Sequence, residues 1–217
     1  VGTPMVGKPL YAVYSYEWAG LSAENGDPMG YLNGVPSNNY LEIINSATPQ
    51  TIMFHGSMRP TVFGSFRNTF TYHDFSLSFN ISYRWNYYFR RPSIVYGADY
   101  GLKNAHGDYA LRWQKPGDEL TTSVPSVPTA SNARRDSFYG ASSVLVEKGN
   151  HIRLQDINLN YTMTPKANKL PFRTMQIYAY LNNLGLLYKA SKSTRDPDYY
   201  LTGRPPFSIS FGAKINF

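Results

Sequence analysis

The 217 residues contain no cysteine. That removes disulfides, thiolate metal sites and a cysteine nucleophile. No run approaches the ~18 consecutive apolar residues of a membrane helix, and mean hydropathy is low, at -0.40. A helical membrane protein is therefore excluded. A membrane β-barrel is not, because alternation along a strand dilutes the hydropathy signal. Acids are the scarcer charge: 14 Asp and Glu stand against 21 Lys and Arg, a net charge of +7. The bases are scattered, and the pairs Arg90–Arg91 and Arg134–Arg135 fall in turn-rich segments. With no basic helix and no zinc-ligand spacing beside them, nucleic acid is not an expected partner. The opening VGTPMVGKPLYAV lacks the charged-then-apolar layout of a signal peptide. The expectation is a chain that has lost its signal or begins inside something longer.

Catalytic signatures are missing too. His55, His73, His106 and His151 fall in expected loops or at strand ends, without metal-ligand spacing. There is no G-x-S-x-G and no glycine-rich phosphate loop. No catalytic residue, metal ligand or cofactor is expected. Asp196 and Asp198 offer carboxylates for a cation, but Asp-Pro-Asp is foremost a turn sequence.

Aromatics, by contrast, are abundant: 19 Tyr, 12 Phe and 3 Trp. Their spacing is informative. In FSLSFNISYRWNYYF every odd position from Phe75 to Phe89 is large and apolar, while Ser76, Ser78, Asn80, Ser82, Arg84 and Asn86 are polar. A period of 2 means a strand with two different faces. At this length it would run roughly 50 Å. The same alternation predicts strands over 10–20, 61–73, 151–164, 172–184 and 206–217, with this one over 74–90. His73-Asp74 leaves room only for a tight turn, so 61–73 and 74–90 form an antiparallel hairpin. The strand HIRLQDINLNYTM slips phase: Ile152 and Leu154 are even, whereas Ile157, Leu159, Tyr161 and Met163 are odd. One extra residue at Gln155-Asp156 restores a single apolar face, as a β-bulge does.

The six strands are joined by alternately short connections (73–74, 164–171) and long ones (21–60, 91–150, 185–205). Transmembrane barrels have short periplasmic turns and long extracellular loops. The fold class expected is thus all-β: antiparallel strands of a transmembrane barrel, apolar face to lipid and polar face to a wet lumen. A soluble β-sandwich also alternates, but strand length and the alternation of loop lengths favour the barrel.

Several segments carry a resemblance. FGSFRNTFTYHDFSLSFNISY at 63–83, RWQKPGD at 112–118, VEKGNHIRLQDINLNYTM at 146–163, NNLGLLYK with DPD at 182–198 and the terminal RPPFSISFGAKINF stand in the order of the C-terminal end of a known family. The chain resembles the SusC/RagA-like TonB-dependent outer-membrane transporters. Departures are small: Asn182 replaces the usual Gln, Gly185 an aromatic, and Lys148 a commoner Asp. The resemblance implies the last strands of a barrel of about 22 strands around a plug, with plug and earlier strands upstream. It implies active import of oligosaccharides or peptides, TonB acting on the upstream plug, a SusD-like lipoprotein closing the mouth, and a periplasmic C-terminus in the outer membrane. A structural or adhesive outer-membrane protein is the alternative.

On that reading Arg67, Asn80, Arg84, Asn86, Gln176, Tyr178, Tyr180 and Asn182 face the lumen. Aromatic faces with amide or guanidinium donors suit sugars or peptide backbone, though the same residues also serve simply to solvate the wall. Tyr96, Tyr100, Tyr109, Trp113, Phe138 and Tyr139, all within the 91–150 loop, are candidate contacts for a partner protein or substrate.

Overall fold

Alternation does produce long strands, but the one expected over 74–90 stops where the backbone turns left-handed at Asn86. The structure is a computed structural model that describes residues 5–97, 106–165 and 171–217. In chain order the elements are β1 (Ala12–Ser15), β2 (Trp18–Leu21), β3 (Pro28–Leu32), β4 (Val35–Ser37), α1 (Tyr40–Asn45), β5 (Met53–Ser57), β6 (Val62–Tyr72), β7 (Phe75–Trp85), β8 (Tyr88–Arg90), α2 (Ala133–Gly140), β9 (Val146–Lys148), β10 (His151–Met163), β11 (Thr174–Lys189) and β12 (Ser208–Asn216). Short 3-10 turns cover Gly107–Leu111, Asp118–Leu120 and Ser143–Leu145. The chain divides into two compact units, 1–59 with 87–148, and 60–86 with 149–217.

The second unit is one antiparallel sheet of five strands in the order β12-β11-β10-β7-β6. The turn at His73-Asp74 is as tight as expected: Tyr72 pairs with Phe75, and His73 sits at φ 51°. Register then sorts the side chains. Thr69, Ser78, Asn158, Tyr180 and Ser210 share one row across the sheet; Phe70, Leu77, Leu159, Ala179 and Phe211 share the next, on the opposite face. The apolar face is open, with Phe70 57%, Leu159 44% and Phe211 79% exposed. The bulge is present: the register of β10 against both neighbours shifts between Leu154 and Asp156.

Two cross-strand pairs set aromatic rings over glycine. Tyr178 pairs with Gly212 and Tyr83 with Gly64, and a Cβ on either glycine would run into the ring. The missing side chain is what lets the ring lie flat on the neighbouring strand.

Three sequence expectations are corrected. The strand over 10–20 is two short strands in two different sheets of the first unit, β1 paired with β5 and β2 with β3. Val13, Tyr14 and Ser15 are all buried, so this is a strand covered on both sides rather than a two-faced wall strand. The strand over 74–90 breaks at Asn86, which adopts φ 58°, a conformation Asn tolerates better than most residues. Its N–H is taken by Asn150 Oδ1 at 2.8 Å and its side chain by Thr61 Oγ1 at 2.6 Å. What remains, β7, has 11 residues, the length a tilted membrane crossing needs (roughly 9–11). Tyr87 and Phe89, read as the end of the apolar face, are instead buried at 4% and 0% in the first unit. Finally, the strand expected to end at 184 runs on to Lys189. Asn183 (φ 58°) and Gly185 (φ 129°) absorb the irregularity, and pairing resumes at Gly185 opposite Leu154 and runs through Leu186, Tyr188 and Lys189.

The expected loops 21–60 and 91–150 supply most of the first unit, which has its own core. Tyr40, Ile43 and Phe138 form one cluster; Ile94, Tyr96, Val124, Tyr139 and Leu145 form another. Buried Arg135 crosses this unit, donating from Nε to Asp27 Oδ1 at 2.6 Å and from NH2 to the Ser126 carbonyl at 2.8 Å.

Candidate functional site

The polar face of the five-stranded sheet is where the residues chosen from sequence converge. Arg67 on β6, Asn80 on β7, Asp156 on β10 and Asn182 on β11 occupy one row. Arg67 NH2 donates to Asp156 Oδ2 at 2.9 Å, Asn80 Nδ2 to the same oxygen at 3.3 Å, and Arg67 NH1 to Ser78 Oγ at 3.4 Å. Asp156 Oδ1, Asn80 Oδ1 and Asn158 Oδ1 are buried without a hydrogen-bond partner among the described residues. The face is therefore rich in acceptors, and unmet buried acceptors favour any donor that reaches them. Tyr180 lies in the next row with Asn158, and Tyr178 in the one after with Asn160. Gln176 Nε2 donates to Asn160 Oδ1 at 3.3 Å. Asn182 is partly spent locally, its Oδ1 accepting from the Asn183 N–H. Asn86 is the exception: it sits in the left-handed turn and not on the wall.

At the end of this face lies a cluster that sequence reasoning missed. Arg84 pairs in register with His151, and Arg153 with Ser82. All three charged or chargeable groups meet the loop after β11. Arg153 NH2 donates to Asp196 Oδ1 at 2.6 Å and to Asp198 Oδ2 at 3.3 Å. Arg84 NH1 donates to Asp198 Oδ1 at 2.7 Å, and His151 Nε2 lies 3.1 Å from Asp198 Oδ2. Burial alone would raise the Asp198 carboxyl. The hydrogen bond and charge of His151, with Arg84 and Arg153, outweigh it and hold the group below the usual carboxylate range. Asp-Pro-Asp is thus more than a turn: it is a clasp on the wall. Its only sequence signal was opposite charge, far apart along the chain.

The loop aromatics are corrected. Tyr96, Trp113, Phe138 and Tyr139 are 3%, 8%, 0% and 2% exposed, so they are core rather than projecting anchors. Tyr96 donates to the Pro125 carbonyl at 2.7 Å, and burial pushes its hydroxyl up to about 12. Trp113 Nε1 donates to Glu119 Oε2 at 3.1 Å, and Asp118 Oδ2 takes the N–H groups of Gln114 and Lys115, which fixes the RWQKPGD turn. Tyr109 is 41% exposed, with the Arg112 guanidinium over its ring. Tyr100 lies outside the described residues.

Two serines lie against an ionisable side chain, Ser15 against His55 and Ser93 against Asp108. Ser15 Oγ lies 2.6 Å from His55 Nε2, but Ser15 is fully buried. Burial, then the charge of Arg90, lowers the His55 pKa. Ser93 Oγ lies 2.5 Å from Asp108 Oδ2 and so bonds the acid directly, without an intervening base. Neither is a relay of the nucleophile–base–acid kind. Among the described residues no group of three or more His, Cys, Asp or Glu could hold a metal ion.

A long-stranded antiparallel sheet, open and aromatic on one face and polar on the other, is a wall of the β-barrel class. Comparison with solved structures points the same way. The chain is similar to a chain of the RagAB peptide importer in its "open-open" state, with TM-score 0.62 and 18% identity over 94% of this chain and 22% of that one. It is equally similar to the RagAB peptide transporter (0.62, 17%, 93% and 22%) and to the "closed-closed" state of the importer (0.62, 18%, 92% and 22%). No protein-family model and no curated protein matches the chain. At this identity the likeness is one of fold, and there it meets the SusC/RagA-like resemblance read from the sequence. This chain spans about a fifth of the length of the chains it matches.

Proposed function

We propose that this chain is a sector of an outer-membrane, TonB-dependent importer of oligosaccharides or peptides. The observation that carries the reading is the two-faced sheet: rows of exposed Phe, Leu and Ile on one side, rows of Ser, Asn, Arg and Tyr on the other, in a fold shared with RagAB structures. On this reading the apolar face meets lipid. The polar face, with Arg67, Asn80, Arg84, Gln176, Tyr178, Tyr180 and Asn182, lines the path of the substrate or the plug that blocks it.

The end of the sheet bearing the His73-Asp74 turn also holds Asn216, since Tyr72 pairs with Phe75 and Thr174 with Asn216. Short turns belong to the periplasmic rim, so the C-terminus is assigned to the periplasm and the long connections, 91–150 among them, to the cell exterior. There a SusD-like lipoprotein docks, with exposed Tyr109, Leu111 and Leu120 (41%, 62% and 85%) as its contact. TonB acts on a plug outside these 217 residues. The chain is not assigned an enzymatic role.

The test is uptake. Cells that carry the gene are compared with cells that lack it for TonB-dependent accumulation of labelled oligopeptides and oligosaccharides. Loss of one of these activities on deletion is expected. Equal accumulation of both, with and without the gene, would remove the importer reading.

A further inference from the structure

Between Lys189 and Ser208 the chain has no helix or strand, yet it places two carboxylates against the nearly buried Arg153 and His151 side chains. The side chains of His151 and Arg153 are 1% and 5% exposed, while that of Arg84 is 49% exposed. The match is incomplete. Arg153 Nε and Asp196 Oδ2 are both buried without a hydrogen-bond partner, so a guanidinium that offers a two-pronged fork is met through NH2 alone. Arg84 uses only NH1 on Asp198 in its ion pair, and its other nitrogens have no partner among the described residues.

We propose that Arg84, His151 and Arg153 form an anion site on the polar face, held by the chain's own Asp196-Pro197-Asp198, and that an acidic oligopeptide displaces this segment. The proposal rests on the importer reading for its consequence, which is a preference for acidic cargo and release of the 190–205 loop when cargo arrives. Displacement exchanges carboxylate for carboxylate, so the buried guanidinium never loses its counter-charge. An incoming carboxylate that approaches Arg153 side-on gains the Nε donor that the resident segment leaves unused. A second carboxylate meets Arg84. The tethered segment competes at an effective concentration on the order of millimolar, so a lone carboxylate such as acetate loses and a ligand with two acids two residues apart competes.

The full-length protein is purified in detergent and digested with trypsin, which cuts after the exposed Lys192, with and without a capped Asp-Pro-Asp peptide. The expected result is cleavage at least about threefold faster at about 10 mM peptide, a concentration above the tethered competitor, and no change with Asn-Pro-Asn. Arg84→Gln, at a half-exposed position, should cut the acceleration by half or more. The pair Asp196→Asn with Asp198→Asn should bind the acidic peptide about tenfold tighter, because the internal competitor is gone. If that pair fails to fold, Arg84→Gln alone decides. Unchanged cleavage at all concentrations, or equal acceleration by both peptides, overturns the site. Uptake separates the two readings. Import of neutral peptides without an acidic effect on cleavage leaves the importer standing and removes the site. The acidic effect without uptake of any cargo does the reverse.

Discussion

Phe79→Arg tests the assignment of faces most directly. Phe79 stands near the middle of β7, in the row Asn68, Phe79, Ile157, Leu181 and Ile209. Its ring lies 6.4 Å from that of Phe66 and 6.1 Å from that of Phe70. Losing two aromatic contacts costs about 1–3 kcal/mol at about 0.5–1.5 each. A guanidinium at mid-depth on a lipid face adds about 2–4 kcal/mol. The sum is about 3–7 kcal/mol, a large share of a domain's stability of about 5–15 kcal/mol. The control is Thr69→Arg, an exposed position on the opposite face, expected within about 0.5 kcal/mol of wild type. Folded yield in outer membranes and urea unfolding in lipid vesicles read both variants. Comparable losses would refute the unequal faces, and with them the wall.

Other perturbations follow from named contacts. Arg67 is 53% exposed but its partner Asp156 is 7% exposed, so Arg67→Gln leaves a buried carboxylate held by the Asn80 amide and should cost about 1–3 kcal/mol. Arg153→Met removes the guanidinium that holds the nearly buried Asp196 carboxylate, while Asp198 keeps Arg84 and His151, and should cost about 3–5 kcal/mol; the same unfolding assay ranks the two variants. Gly26 has φ +70° and a Cβ there would fall within the Trp113 indole. Gly26→Ala should therefore add the left-handed penalty of about 1–2 kcal/mol to a displaced ring, seen as red-shifted tryptophan emission. The Asp198 carboxyl is depressed in the folded chain, so its contribution is full above the ordinary carboxylate range near pH 4. It is lost only as pH falls through the lowered value. Protease protection of the 190–205 loop should be flat from about pH 8 to 5 and fail only below that range; loss near pH 6 would contradict the assigned contacts.

The faces were legible because a strand repeats every two residues, and the eye can follow Phe75 to Trp85 without knowing the partner strand. Strand ends were less so. Asn86 reads as one more polar position in the alternation, and only its φ of 58° shows that the wall ends there. Aromatic content misled for a related reason: Tyr96, Trp113, Phe138 and Tyr139 look the same in a loop whether they project or pack. A usable hint was the company they keep, since Trp113 covers Gly26 and Phe138 covers Gly30 at 2.6 Å from a would-be Cβ. Such pairings join residues about ninety or more positions apart, a distance no local pattern spans. The clasp was hidden in the same way.

The bulge links what was legible to what was not. Without the extra residue, strict alternation would put Arg153 on the same face as Ile157, and Asp156 on the other. The register shift between Leu154 and Asp156 places Arg153 beside Ser82 and Asp156 beside Asn80, all on the polar side. Gln155, the added residue, donates from Nε2 to Ser82 Oγ at 2.7 Å, so its side chain also finds polar company. One inserted residue thereby brings the Arg67–Asp156 pair and the Arg153–Asp196–Asp198 clasp onto one continuous surface. It leaves Leu154 and Ile157 beside Ile81 and Phe79 on the other. Bulges that re-aim side chains are placed features rather than defects. This one explains why a sequence that seems to lose its phase at Gln155 is the sequence that keeps both faces intact.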